Sequence, residues 1–128
     1  MTRVVPGRAA VAVGYMLVLL FVSSLPGREV ARLGLSIFLL NLAHVPLFAG
    51  LAWVTVSAFI GPARTRVVLT AVICLAFAVM DEWYQASVPG RIAALGDVAA
   101  DAAGIALGIA LREGLRPVVL AWKGDPQR

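Results

Sequence analysis

Long apolar runs, broken by short polar or Gly/Pro-containing stretches, set the rhythm of this chain. The first run covers residues 9–25, follows Arg3 and Arg8, and stops at Pro26 and Gly27. It sits at the short end of what a membrane-crossing helix needs, about 17–25 residues. Ser23 and Ser24 give it some likeness to a cleavable signal, but keeping it as a helix preserves the charge pattern described below. The second run covers 33–60, is interrupted by Asn41, His44 and Pro46, and ends at Gly61 and Pro62. Pro46 removes a backbone donor and predicts a bend just beyond His44. A third run covers 67–87, entered after Arg64 and Arg66 and closed by Pro89 and Gly90. The fourth covers 95–111 and leads into a tail at 112–128, with an apolar interfacial patch at 118–122 and a polar end. The pattern predicts an all-α polytopic membrane protein with four transmembrane helices, forming a single domain over 1–128. No internal repeat is present.

Composition agrees. Hydrophobic residues make up 61% and charged residues 14%, with a mean hydropathy of +0.92, whereas soluble domains carry about 25% charge. A chain this short has no core large enough to bury so much apolar side chain. The placement of charge then predicts orientation. With the N-terminus inside, Arg3, Arg8, Arg64, Arg66, Arg112, Arg116, Lys123 and Arg128 fall on the cytoplasmic side. Only Arg28, Arg32 and Arg91 fall outside, so the positive-inside rule places both termini in the cytoplasm. The net charge of +4 therefore reads as topology, and no nucleic-acid partner is expected. The lone Cys74 lies mid-run; it makes no disulfide framework and reads as a small core residue.

The acids carry the candidate chemistry. Asp81, Glu82, Asp97 and Asp101 are four of the seven in the protein, and all fall at the outer end of the last two runs. At about 1.5 Å per residue, Glu82 lies roughly 8 Å below Ser87 and Asp101 roughly 9 Å below Leu95. His44 is roughly 15 Å along the second helix by the same rise. All three reach one water-filled recess in the outer half. Charge at that depth needs a partner or a purpose. Glu82, His44 and Asp101 are the candidate catalytic groups, suited to moving a proton; Arg91, Gln85 and Asp97 are the candidate binding groups. Arg91, in the turn, can bridge Glu82 and Asp97 or present its planar fork to a phosphate or carboxylate.

Blander readings stand beside these. Glu82, Arg91 and Asp97 read equally well as an ion-pair network fixing the third helix to the fourth. Asp81 reads as a solvated charge at headgroup level, Gln85 as a hydrogen bond between helices, and His44 alone as a hydrogen-bonded core histidine. Ser23 and Ser24, at a helix end, more often bond backbone than reach a recess. Trp83, Tyr84 and Trp122 fit interfacial belts, and Trp53 fits packing. His44 with the carboxylates offers one nitrogen and several oxygens to a divalent ion, but no compact metal-ligand motif is present. No residue pattern names a cofactor. Gly104 and Gly108 continue the Asp97–Asp101 stripe and allow a close helix approach, within the chain or between copies as an oligomer contact.

Taken together, Glu82 and Gln85, then Pro89, Gly90 and Arg91, then Asp97, a polar residue at 101, Gly104 and Gly108 resemble the signature of the VanZ-like family. These are small four-helix membrane proteins named after a teicoplanin-resistance accessory protein. His44 stands where many members carry a histidine. Two positions depart: members usually have Asn where Asp101 stands, and often an aromatic hydroxyl where Phe48 stands. The resemblance implies a multi-pass protein of the bacterial plasma membrane, a cell-envelope setting and a link to glycopeptide (teicoplanin) resistance; it leaves the reaction open. The expected partners are membrane lipids, with a lipid-linked envelope precursor or a glycopeptide as ligand. The alternatives are a non-catalytic binding or scaffold protein and, ranked last, a small exporter, because no acid precedes Glu29 in the first helix.

Overall fold

The computed structural model describes residues 1–32, 34, 37–91 and 95–123, with side chains described there except at 31, 37–41, 95 and 116–123. After a two-residue strand β1 (Arg3–Val4) come α1 (Pro6–Ser23), α2 (Gly27–Ala31) and α3 (Ile37–Ser57). A second short strand β2 (Phe59–Ile60), α4 (Ala63–Ala86) and α5 (Leu95–Lys123) complete the chain. The protein is all-α apart from one two-residue pairing. Prolines punctuate the helices as their chemistry requires: Pro6 opens α1 where its missing N–H is not needed, and Pro62 caps α4.

Among the described residues, α1 and α4 are long and apolar enough to cross a membrane, and Leu42–Ser57 forms a shorter apolar helix within α3. The first and third expected runs thus coincide with α1 and α4, each shifted by a few residues. The second run ends earlier than expected, at Ser57, because residues 59–60 leave the helix to pair with β1. Arg3 faces Ile60 and Val4 faces Phe59, antiparallel, and Val5 N–H donates to Ala58 O at 2.8 Å. Pro46 lies inside α3, and the helix continues through it. The fourth run is longer than expected. α5 continues past Arg112 and Pro117 to Lys123, so residues 118–122 belong to the same helix rather than to a separate interfacial patch. The side chains of Asn41 and Trp122, and all of residues 124–128, lie outside the described residues.

The exposed and buried faces are inverted relative to a soluble helix. On α4 the inward stripe is Arg66, Thr70, Cys74, Ala78, Asp81, Glu82 and Gln85, joined by Phe77. The outward face is Val68, Leu69, Val72, Ile73, Leu75, Val79 and Met80. On α1, Val11, Val13, Leu17, Val18 and Phe21 are likewise exposed. Apolar side chains outside and polar ones inside fit a hydrocarbon solvent, because in lipid the polar groups must satisfy one another. The apolar core between the helices consists of Leu19, Phe48, Leu51, Ala52, Cys74, Phe77, Ala78 and Ile105.

α3 is the hub, packed on α1, α4 and, most extensively, α5. Two glycines make that last contact possible. A Cβ on Gly104 would overlap the carbonyl oxygen of Val45, and one on Gly108 that of Ala49. Of the two expected uses of Gly104 and Gly108, the close approach within the chain is the one seen, with backbone carbonyls of α3 filling the glycine groove. At the end of the bundle where α1 and α4 both finish, a second pair of glycines joins the two turns. Gly27 N–H donates to Pro89 O at 3.1 Å, and a side chain on Gly27 would strike the backbone of Gly90, whose φ is +77°.

Candidate functional site

The close α3–α5 approach decides where the charges meet. Asp101 lies three residues before Gly104 on the same face of α5, and His44 immediately precedes Val45 on α3. The imidazole Nδ1 sits 2.8 Å from Asp101 Oδ1. With Nδ1 protonated, His44 donates to a carboxylate that is only 1% exposed. Phe48, one turn further along α3, stacks on the imidazole with ring centroids 6.4 Å apart and planes 3° from parallel. Where many relatives are expected to carry an aromatic hydroxyl, this chain thus fixes the histidine by packing.

The other acids surround this pair. Asp97, one turn above Asp101, is buried, and its Oδ1 has no hydrogen-bond partner among the described residues. The Glu82 and Asp97 carboxylates lie within electrostatic reach of His44, and Asp81 and Asp97 within reach of Asp101. Glu82 itself is 8% exposed. Arg91, in the turn before α5, is half-buried, and its Nε has no partner among the described residues. Of the expected candidates, His44, Asp101, Asp97 and Glu82 are thus gathered between α3, α4 and α5, whereas Gln85 faces α1. Among the described residues, no three His, Cys, Asp or Glu side chains converge on a point where a metal ion would be held.

Asp81 is placed differently from the expectation. Instead of a solvated headgroup-level charge, it is a buried acceptor with 3% exposure. Ser23 Oγ donates to Asp81 Oδ2 at 2.8 Å, Gln85 Nε2 donates to the same oxygen at 3.1 Å, and Gln85 also donates to Ser23 Oγ at 3.2 Å. This triad ties the end of α1 to α4. The signal was available, since positions 74, 78, 81 and 85 run down one strip of a helix whose other faces are nearly all apolar. Ser24 behaves as expected, bonding back to Phe21 O. Trp83 and Tyr84 are exposed at the same end, as belt residues should be.

The triad supports a stability prediction. Ser23→Ala should destabilise the protein by about 1–2 kcal/mol, the loss of one hydrogen bond to a buried carboxylate. Asp81→Leu should cost more, because it removes two hydrogen bonds at once, leaving the Ser23 hydroxyl without its acceptor and Gln85 with only Ser23 Oγ. Thermal unfolding in detergent measures both; equal melting of Ser23→Ala and wild type would show that the α1–α4 tie contributes nothing.

The opposite end of the bundle carries its own polar set. Arg66 on α4 is ion-paired with Glu113 on α5. Arg8 and Arg112 both donate to Ser57 near the end of α3. None of these was singled out in the sequence beyond its sign of charge.

A family model described as VanZ/LLP1 matches residues 10–116. The matched segment contains His44, Glu82, Arg91, Asp97, Asp101 and both helix-packing glycines. No curated protein and no solved structure matches the chain.

Proposed function

Because the chain belongs to the VanZ/LLP1 family, we propose that it is a four-span protein of the bacterial plasma membrane, with both ends cytoplasmic, that acts on or recognises an anionic envelope lipid or lipid-linked intermediate at the outer leaflet, in the context of glycopeptide resistance. The observation that carries this reading is the His44–Asp101 pair, its carboxylate buried and its imidazole half-buried, with further carboxylates in electrostatic reach and Arg91 in the turn before α5. A histidine and a carboxylate 2.8 Å apart can hold one proton between them and deliver it to a third group. The Arg91 guanidinium supplies a planar donor fork suited to a phosphate or carboxylate headgroup. Glu82 would be the acid or base closest to that headgroup.

A non-catalytic reading is favoured by one observation. The 1% exposure of Asp101 suits a helix clamp as well as a proton donor. Three variants separate the two. Expressed in a teicoplanin-sensitive host, Arg91→Ala should lose the protein's effect on susceptibility while membrane abundance stays normal. Glu82→Gln should lose it too if a proton is transferred, and should retain it if the site only binds; Arg91→Lys weakens the binder because the fork is lost while the charge remains. Wild-type susceptibility in all three variants would remove the outer site from the function altogether.

A further inference from the structure

At the end of the bundle opposite His44, a cavity of about 350 Å³ opens between α1, α3 and α5, lined by Arg8, Val11, Trp53, Val54, Ser57 and Arg112. Two guanidiniums define its polar edge, and both are held in place. Arg8 Nη1 donates to the backbone carbonyl of Ser57 at 3.1 Å. Arg112 Nε donates to Ser57 Oγ at 2.8 Å, and its guanidinium lies over the Trp53 ring, 5.6 Å from the centroid. Ser57 Oγ in turn donates to Trp53 O at 2.7 Å, which fixes the hydroxyl's lone pairs toward Arg112. Each guanidinium has five N–H donors, so anchoring to Ser57 takes only part of either group's capacity.

Among the described residues no acid lines this cavity, and Glu113, next to Arg112 in sequence, is engaged by Arg66. Two like charges are thus oriented side by side over a wall that is otherwise apolar: Val11, Trp53 and Val54. Val11 continues into the exposed apolar face of α1. Like charges held together without a counter-ion call for an anion, and the adjoining apolar wall calls for hydrocarbon on the same molecule.

We propose that this groove binds the phosphate headgroup of an anionic phospholipid from the leaflet facing the N-terminus, with Arg8 and Arg112 on the phosphate oxygens and an acyl chain laid along Val11 and Trp53. The site is separate from the outer His44–Asp101 cluster and does not depend on its role. The lipid would join α1, α3 and α5.

The full-length protein, purified in a mild detergent, tests this by native mass spectrometry with added phosphatidylglycerol or phosphatidylcholine of the same chains. Wild type should retain phosphatidylglycerol at least about tenfold more strongly, and Arg8→Gln together with Arg112→Gln should erase that preference, since each charge-assisted contact is worth on the order of tenfold. Arg64→Gln, an exposed arginine at the same end, should leave it intact. Equal retention of the two lipids by wild type overturns the proposal. So does loss of the preference in Arg64→Gln, which would make it a generic surface-charge effect. Displacement of bound phosphatidylglycerol by millimolar inorganic phosphate would reassign the groove to a soluble anion and overturn the lipid assignment. Should the double variant fail to fold, a form with native arginines and Trp53 as its only tryptophan (Trp83→Phe, Trp122→Phe) decides. Its fluorescence should be quenched more by phosphatidylglycerol with brominated chains than by the matching phosphatidylcholine; equal quenching overturns the proposal.

Discussion

Gly108→Leu should abolish or nearly abolish the folded protein, with a loss of about 3 kcal/mol or more in whatever fraction remains assembled. Overpacking usually costs about 1–3 kcal/mol because side chains rotate out of the way. Here the atom in the way is the Ala49 carbonyl oxygen, part of the α3 backbone, which cannot rotate. The new side chain must push α5 off α3 as a unit, and the same argument applies to Gly104 against Val45. The displacement would also separate Asp101 from His44, so any activity of the His44–Asp101 site should fail in step with stability. Gly14→Leu is the control: nothing lies within 4 Å of a Cβ there, and the α1 surface around it is apolar and exposed. Thermal unfolding and monodisperse yield in detergent give the comparison. Gly108→Leu melting with wild type would mean that the two helices do not approach as closely as described.

The second large effect concerns the His44–Asp101 pair. His44→Leu should destabilise the protein by about 3 kcal/mol, because it leaves a carboxylate with 1% exposure among other acids and without its donor. Asp101→Asn should be much milder, since the amide oxygen still accepts from the imidazole. The double variant His44→Leu with Asp101→Leu should recover a substantial part of the single loss. Replacing both partners by apolar groups removes the buried charge along with the bond. A double-mutant cycle on melting data should give a coupling of about 1–3 kcal/mol. Strictly additive single effects would mean that the two side chains do not act on each other, and would weaken the proton-sharing role as well.

The two predictions share one cause. The glycine face of α5 sets the helix separation, and that separation sets the 2.8 Å contact between imidazole and carboxylate. The Asp97, Asp101, Gly104, Gly108 spacing was readable as one stripe in the sequence, because a helix puts positions three and four apart on one face. What that stripe would pack against was not readable. α3, α4 or a second copy of the chain all satisfied the spacing, and only the fold assigns the groove to Val45 and Ala49 of α3.

Other parts were equally uneven. The apolar runs located α1 and α4 because hydrocarbon imposes a length and a composition on any helix that crosses it. The end of α3 and the β1–β2 pairing were missed, since a two-residue strand has no periodicity to read. Asp81 was misjudged because an aspartate near a helix end is usually solvated, whereas its environment depends on which way the helix is rotated. Ser23 Oγ, 2.8 Å away on α1, is 58 residues distant in sequence. Arg8, Arg112 and Ser57 come from three separate segments, so no local pattern announces their meeting.

By itself, then, the sequence determined the helical class, the membrane as solvent, and the stock of acids and histidine available for chemistry. The first two are properties of single helices in contact with lipid, each written within about twenty consecutive residues, and the third is composition alone. Tertiary structure alone decided the partners: Asp101 with His44, Asp81 with Ser23, Arg66 with Glu113, Arg8 and Arg112 at Ser57. Pairing depends on helix rotation and separation, which arise only when packed faces compete for the same space.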